Sequence, residues 1–356
     1  MTLQTIFTDK VNSMKPYHVP NSSGMVKLDA MESPYQLPNE MRQALGTMLS
    51  LININRYPNS CSTSLVAKIK QRFDIPDDLG VILGNGSDEL IQMILMATMR
   101  SGATVMSPVP TFVMYQHMAE ILGMHYIGVD LRADFSIDED AFLAAVNQHQ
   151  PSVIFLAYPN NPTGVLLDKH FVRKVIETAP GLVILDEAYT AYACDTAMDL
   201  LAQYKNAVMI RTLSKIGLAG IRLGYLVAQP DVAAQFDKVR MPYNINLLTQ
   251  GTARFMLDQM GYIDHCVKRI MKEKAALYQW LGKRKGITVY PSETNFLLVR
   301  VNDADAVFTQ LRDKHKILVK NLHGYHPILD NVLRITVGRK KENAKLRDAL
   351  REILPK

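Results

Sequence analysis

In RTLSKIGLAGIRLGY (211–225) a lysine stands directly behind a strand-like run, among glycines and small apolar residues. A buried ammonium is costly unless it is paired or gives up its proton, and its pKa falls readily. Lys215 in that place therefore reads as a nucleophilic amine able to form a Schiff base. A lone Ser-Lys pair is more often a solvated surface pair, but the glycine-rich, apolar context weakens that reading. Ser214 and Arg222 can both reach a phosphate, the arginine with a forked pair of hydrogen bonds. Three more junctions have the same character. In LVILDEAY (182–189), Asp186 ends an apolar run, so its carboxylate emerges into a poorly solvated place and should face a cation. On that motif alone a structural salt bridge is an equally good reading. Tyr189, three residues on, adds a phenol. YPNNPTG (158–164) has the composition of a tight turn, while its asparagines are also neutral donors for a ring oxygen. In GNGSDEL (84–90) glycines and a Ser-Asp pair open a helix, which either offers free backbone N–H groups to a phosphate or simply uses Ser87 as a cap.

Together the four junctions specify one ligand. It has a phosphate, a protonated ring nitrogen that needs a carboxylate, a ring oxygen that needs donors and an aldehyde that needs a lysine. That ligand is pyridoxal phosphate, whose protein side is a Schiff-base lysine and an aspartate at the pyridinium nitrogen. Asp186 would keep the nitrogen protonated. Lys215 would hold the aldehyde, be displaced by a substrate amine, and then carry the proton at the substrate α-carbon.

Such residues need a frame that gathers them. From about residue 80 to 213, short apolar runs such as VILG, VIFLAY, LVILDEAY and AVMIRTL alternate with amphipathic segments. The runs are nearly uniformly apolar, as expected when helices cover both faces of a parallel sheet. The ligand site of such a sheet lies at the carboxyl ends of its strands, where the four polar junctions fall. Ser136 followed by Glu139 predicts a capping box and a helix start. After residue 240, long helical segments (246–258, 262–285) precede strand-like and helical stretches that suggest a smaller α+β domain. The expected organisation is an N-terminal arm at 1–35, a large domain at 36–245, and interdomain helices with a small α+β domain at 246–356.

The 356 residues exceed what one hydrophobic core usually supports, in line with two domains. A net charge of +6 is spread along the chain with no basic block interleaved with aromatics, which argues against nucleic-acid binding. Three cysteines without a CxxC pair indicate neither a disulfide framework nor a zinc site and fit a reducing, cytoplasmic setting.

The chain resembles the fold-type I, pyridoxal-phosphate-dependent aminotransferases of class II, and within them the histidinol-phosphate aminotransferase branch. The resemblance runs over nearly the whole chain, through LDAMESPY, NRYP, GNGSDELI, PTFVMY, YPNNPTG, DEAY, TLSKIGLAGIRLGY, TNFLLVR and LRITVG. It implies a mostly parallel central sheet plus a smaller α+β domain, and a role for each matching residue. Lys215 would carry the cofactor and Asp186 would pair with its ring nitrogen. Asn161 and Tyr189 would bond the ring oxygen, and Phe112 would stack on the ring. Gly86, Ser87, Asp88, Ser214 and Arg222 would line the phosphate cup. Tyr57 would reach the other subunit's site, making a homodimer obligatory. Arg334 would bind the anionic end of the substrate, with Lys320 beside it and Tyr17 contributing from the partner's arm. The implied activity is amino transfer between L-glutamate and imidazole-acetol phosphate in histidine biosynthesis. An aromatic-amino-acid aminotransferase or a threonine-phosphate decarboxylase-like enzyme is the alternative.

Three departures stand out. Met31 replaces a family asparagine, with little expected consequence. The Lys215–Arg222 loop is one residue shorter than in many relatives, which puts the reach of Arg222 in question. Lys320 replaces an arginine and lacks its bidentate fork; the adjoining NLHGYHPILD is longer by one residue, and its His323, Tyr325 and His326 read as surface residues or pocket contributors.

Overall fold

The computed structural model describes residues 6–16 and 19–354. Within them, β1 is Val26–Leu28, β2 Gly80–Gly84, β3 Thr104–Val109, β4 His125–Asp130, β5 Val153–Ala157 and β6 Leu182–Asp186. Further on, β7 is Ala207–Thr212, β8 Gly224–Ala228, β9 Ile287–Val289, β10 Phe296–Val301, β11 Ile317–Asn321 and β12 Val332–Thr336.

Seven of these form the central sheet in the order β2-β8-β7-β6-β5-β3-β4. Every residue of β5, β7 and β8 is buried. Side chains alternate between the sheet's faces. Ile154 and Leu156 join one core cluster, while Val153, Phe155 and Ala157 join the other. That double burial is why these runs carry no polar alternation.

The sheet is parallel except for β8, which is antiparallel to both β7 and β2. The sequence reading did not mark GYLVA as a strand. Its direction follows from chain length: β7 ends at Thr212 and β8 begins at Gly224. A parallel return needs a crossover of about a dozen residues or more, usually helical. This segment instead holds two short 3₁₀ turns, Ser214–Ile216 and Ala219–Ile221, and closes with Leu213 N–H donating to the Leu223 carbonyl at 2.9 Å.

A second sheet runs β1-β11-β12-β10-β9. Residues 26–28, within the expected N-terminal arm, pair in parallel with β11 and so belong to this sheet. The predicted Ser136/Glu139 capping box does not form. The helix begins at Glu139 with Asp138 as its cap, accepting from Ala141 N–H at 3.1 Å, while Ser136 bonds Asp134. An aspartate one position before the helix supplies the same acceptor at closer range. No helix among the described residues is long and apolar enough to cross a membrane.

Candidate active site

The carboxyl ends of β5, β6 and β7 open into one cleft, where Asn161, Asp186 and Lys215 meet Ser87, Asp88, Phe112, Tyr189, Ser214 and Arg222. The cleft opens to solvent and spans about 590 Å³, open space included.

Lys215 follows β7 at a 3₁₀ turn, where the Tyr192 hydroxyl donates to its carbonyl at 2.8 Å. Its Nζ lies 5.9 Å from the centre of the Tyr189 ring. Burial, reinforced by the cationic Arg334, brings its ammonium down to about 8. A neutral amine is therefore accessible near physiological pH.

Asp186 is 5% exposed. The Tyr115 hydroxyl donates to Oδ2 at 2.6 Å and Ala188 N–H donates to Oδ1 at 3.1 Å. Burial pushes its carboxyl up to about 6 against both hydrogen bonds. Among the described residues no cationic side chain forms a salt bridge with it. Of the cations, Lys215 acts on it through space, without a salt-bridge contact. Tyr115 was not singled out from the sequence. It is fully buried, stacked on Phe155 with centroids 4.4 Å apart, and holds Phe112 edge-on at 5.6 Å.

Across the shortened loop Arg222 still faces Ser214, Asp88 and Gly86. Arg222 adopts the left-handed conformation at φ +50°, and its guanidinium donates to Ser214 Oγ at 3.5 Å and pairs with Asp88 at 3.1 Å. It also lies against Gly86, where a Cβ would come within 2.7 Å of Nη2. Gly86 opens the helix Gly86–Thr98, which has no side-chain cap. Ser87 sits inside that first turn, so the reading of Ser87 as an ordinary cap does not hold. The free N–H groups of an uncapped helix start, beside a guanidinium and a hydroxyl, suit a phosphate. The Asp88 carboxylate would repel an anion, and its partner here is Arg222.

The two asparagines of YPNNPTG separate in role. Asn160 is committed to the Pro110 carbonyl at 3.0 Å, to Thr163 at 2.9 Å and to Thr111 at 2.7 Å. Asn161 lines the cleft, and its amide oxygen accepts from Arg334 Nη1, which leaves the N–H₂ group as its donor. Tyr189 is 4% exposed, and burial holds its phenol above its ordinary pKa of 10, so it too is a donor.

Beyond Asn161 the cleft continues into a second cavity, lined by Phe112, Lys320, Tyr325 and Arg334. Lys320 on β11 and Arg334 on β12 are direct cross-strand partners. Like charges placed opposite each other are unfavourable. Arg334 is held by Asn161 and by the Asp29 carbonyl at 2.8 Å, and Lys320 by the Tyr325 hydroxyl at 3.0 Å. Met31 lines both cavities, at φ +55°, with its N–H on Thr336 and its carbonyl on Asn295. A left-handed φ is more natural for the family's asparagine than for methionine, and the position proves to be part of the cleft wall.

Tyr57 does not line this cleft. It is 81% exposed and stacked on Tyr243 at 4.7 Å. Tyr17 lies outside the described residues. Glu187, which no motif argument picked out, is wholly buried and receives Arg211 Nε and Nη2 at 2.9 and 2.6 Å, with Thr196 and Ala197 N–H completing its shell. This pair ties the end of β6 to β7 directly behind Asp186.

Residues 23–351 match the aminotransferase class I and II family, and the chain belongs to that family. Its curated relatives narrow the class further. The chain is 47% identical over 352 residues to histidinol-phosphate aminotransferase 1 of Ralstonia nicotianae, covering 98% of this chain and 94% of the relative. It is 44% identical over 350 residues to the histidinol-phosphate aminotransferase of Chromobacterium violaceum, covering 98% of each. In fold it matches the crystal structure of histidinol-phosphate aminotransferase from Sinorhizobium meliloti in complex with pyridoxal-5'-phosphate. There the TM-score is 0.87 at 24% identity, over 98% of this chain and 97% of that one.

Proposed function

We propose that this protein is a pyridoxal-phosphate-dependent aminotransferase that moves an amino group reversibly between L-glutamate and imidazole-acetol phosphate. The products are L-histidinol phosphate and 2-oxoglutarate, in L-histidine biosynthesis. The carrying observation is Asp186: a carboxylate 5% exposed, without a cationic partner among the described residues, in the same cleft as a lysine brought down to about 8. That pair fits a ligand with a protonated ring nitrogen at one end and an amine-reactive carbon at the other.

Lys215 would hold the cofactor, with Arg222, Ser214 and the first turn of the helix Gly86–Thr98 around the phosphate and Phe112 over the ring. Bound there, the cofactor supplies an electrophilic carbon and an electron sink for the substrate's α-carbon. Asp186 keeps a proton at the ring nitrogen, and Tyr115 and Ala188 N–H hold the carboxylate in line. Asn161 and Tyr189 donate to the ring oxygen. As a neutral amine, Lys215 accepts and returns the proton at the α-carbon. The cross-strand Lys320–Arg334 pair would bind a phosphate or carboxylate of the substrate. The names of relatives at 44–47% identity support histidinol phosphate as the phosphate-bearing partner.

A homodimer completes this reading. Leu51, Ile54, Tyr57 and Met241 are 70–81% exposed, large apolar side chains that an interface between subunits would cover. Tyr57 would reach the neighbouring subunit's site from this surface, as would Tyr17 of the arm. Three free cysteines accord with a cytoplasmic setting.

The deciding experiment is single turnover with histidinol phosphate, glutamate and phenylalanine side by side, followed through the cofactor's absorbance. Histidinol phosphate and glutamate should both react. Phenylalanine reacting as well as histidinol phosphate would refute the substrate assignment. Borohydride should fix the cofactor to Lys215, and an adduct at another residue would refute the assignment of that lysine.

A further inference from the structure

The loop between β11 and β12 brings one side chain back over the cationic pair. Leu322 and Leu329 are buried in a small core cluster with Leu298 and Val332, which anchors the loop at both ends. Between them the chain turns at Gly324, whose φ of +77° an L-residue seldom adopts, and Tyr325 N–H donates to the Leu322 carbonyl at 3.2 Å. Arg300 Nη2 holds the far side through the Ile328 carbonyl at 2.7 Å. The outcome is that Tyr325 lines the cavity beyond Asn161 together with Lys320 and Arg334, while remaining 58% exposed.

An ammonium has donors only, so in the 3.0 Å contact Lys320 Nζ donates and the Tyr325 oxygen accepts. The tyrosine's own O–H must then point elsewhere. Nζ also lies 4.9 Å from the Tyr325 ring centre. Polarisation by the ammonium makes the hydroxyl a better donor. Lys320 keeps two N–H groups for a ligand, and Tyr325 adds an O–H beside them.

We propose that Tyr325 is a substrate-binding residue: its hydroxyl and the Lys320 ammonium together form a two-pronged donor for the anionic group of the amino donor, opposite Arg334. This rests on the aminotransferase reading above and gives the point charge of Lys320 the directionality that it lacks alone. A phosphate, with three terminal oxygens, draws more from the extra donor than a carboxylate does.

The test uses the holoenzyme with Tyr325→Phe, Lys320→Arg and the double variant. Loss of one hydrogen bond to a charged group predicts about a tenfold higher half-saturation for histidinol phosphate in Y325F, with the limiting rate unchanged and a smaller effect on glutamate. In the K320R background, where the guanidinium carries its own fork, Y325F should cost less than about threefold. Equal penalties in both backgrounds, an unchanged half-saturation, or a loss confined to the limiting rate would each overturn the proposal. Inorganic phosphate, tested as a competitor against whichever amino donor reacts, separates the two readings. If histidinol phosphate is not turned over, the substrate assignment fails. Tyr325 then stands if Y325F weakens inhibition by inorganic phosphate, and falls if it does not.

Discussion

Replacing Asp186 by asparagine should make the apoprotein more stable and the enzyme inactive. Burial lifts the Asp186 carboxyl from its ordinary 3.8 to about 6. A carboxyl raised on folding contributes its full stability below 3.8, and loses it as pH climbs to 6. At about 1.36 kcal/mol per pH unit the span amounts to about 3 kcal/mol. Asparagine does not titrate, so the stability difference between D186N and wild-type apoprotein should rise by about 3 kcal/mol between pH 4 and 6 and then level off. Urea titrations of both apoproteins at half-unit pH steps measure the curve, and other titrating groups cancel in the difference. A flat difference from pH 4 to 7 would show that Asp186 is solvated in the free protein, and the reasoning from burial would fail. Turnover should fall at least 10³-fold, on the order of an electrostatic stabiliser's loss.

Glu187→Gln leaves Arg211 buried beside a neutral partner and should lower stability by about 3–5 kcal/mol in denaturant titration; a loss below 1 kcal/mol would mean that water reaches the pair. Gly86→Ala puts a Cβ within 2.7 Å of Arg222 Nη2 at a φ of +80°. It should weaken cofactor affinity about tenfold in fluorescence titration of the apoprotein, and an unchanged affinity would remove Arg222 from the phosphate cup. Leu51→Asp combined with Ile54→Asp should yield a folded monomer in sedimentation with turnover lost, whereas an active monomer would exclude any contribution of Tyr57 across an interface.

Asp186 and Tyr115 are 71 positions apart in the chain, yet they form one chemical unit. The first was legible because polar residues that end wholly apolar strands are rare and point to the open edge of a parallel sheet. The second sits in an amphipathic helix, Met114–Ile121, where an inward-facing tyrosine looks like ordinary core. Glu187 and Arg211 were hidden in the same way, each beside a more conspicuous neighbour. Lys320 was noticed only as a departure. Its pairing with Arg334 is a matter of strand register, which no local pattern encodes.

The sequence by itself pointed to the chemistry: an amine after β7, a carboxylate ending β6, donors after β5 and a Gly-Ser-Asp helix start after β2. Those roles depend on residue type at strand ends, and strand ends are marked by short-range patterning. Tertiary structure alone decided which groups tune them. The reversal of β8, which returns Arg222 to Gly86, followed from a loop too short for a parallel crossover, and Tyr325 came over Lys320 because Leu322 and Leu329 are buried on either side of Gly324. Contacts of that kind arise from packing between distant segments, where hydrophobic burial sets the approach and hydrogen bonds only choose among the side chains brought near.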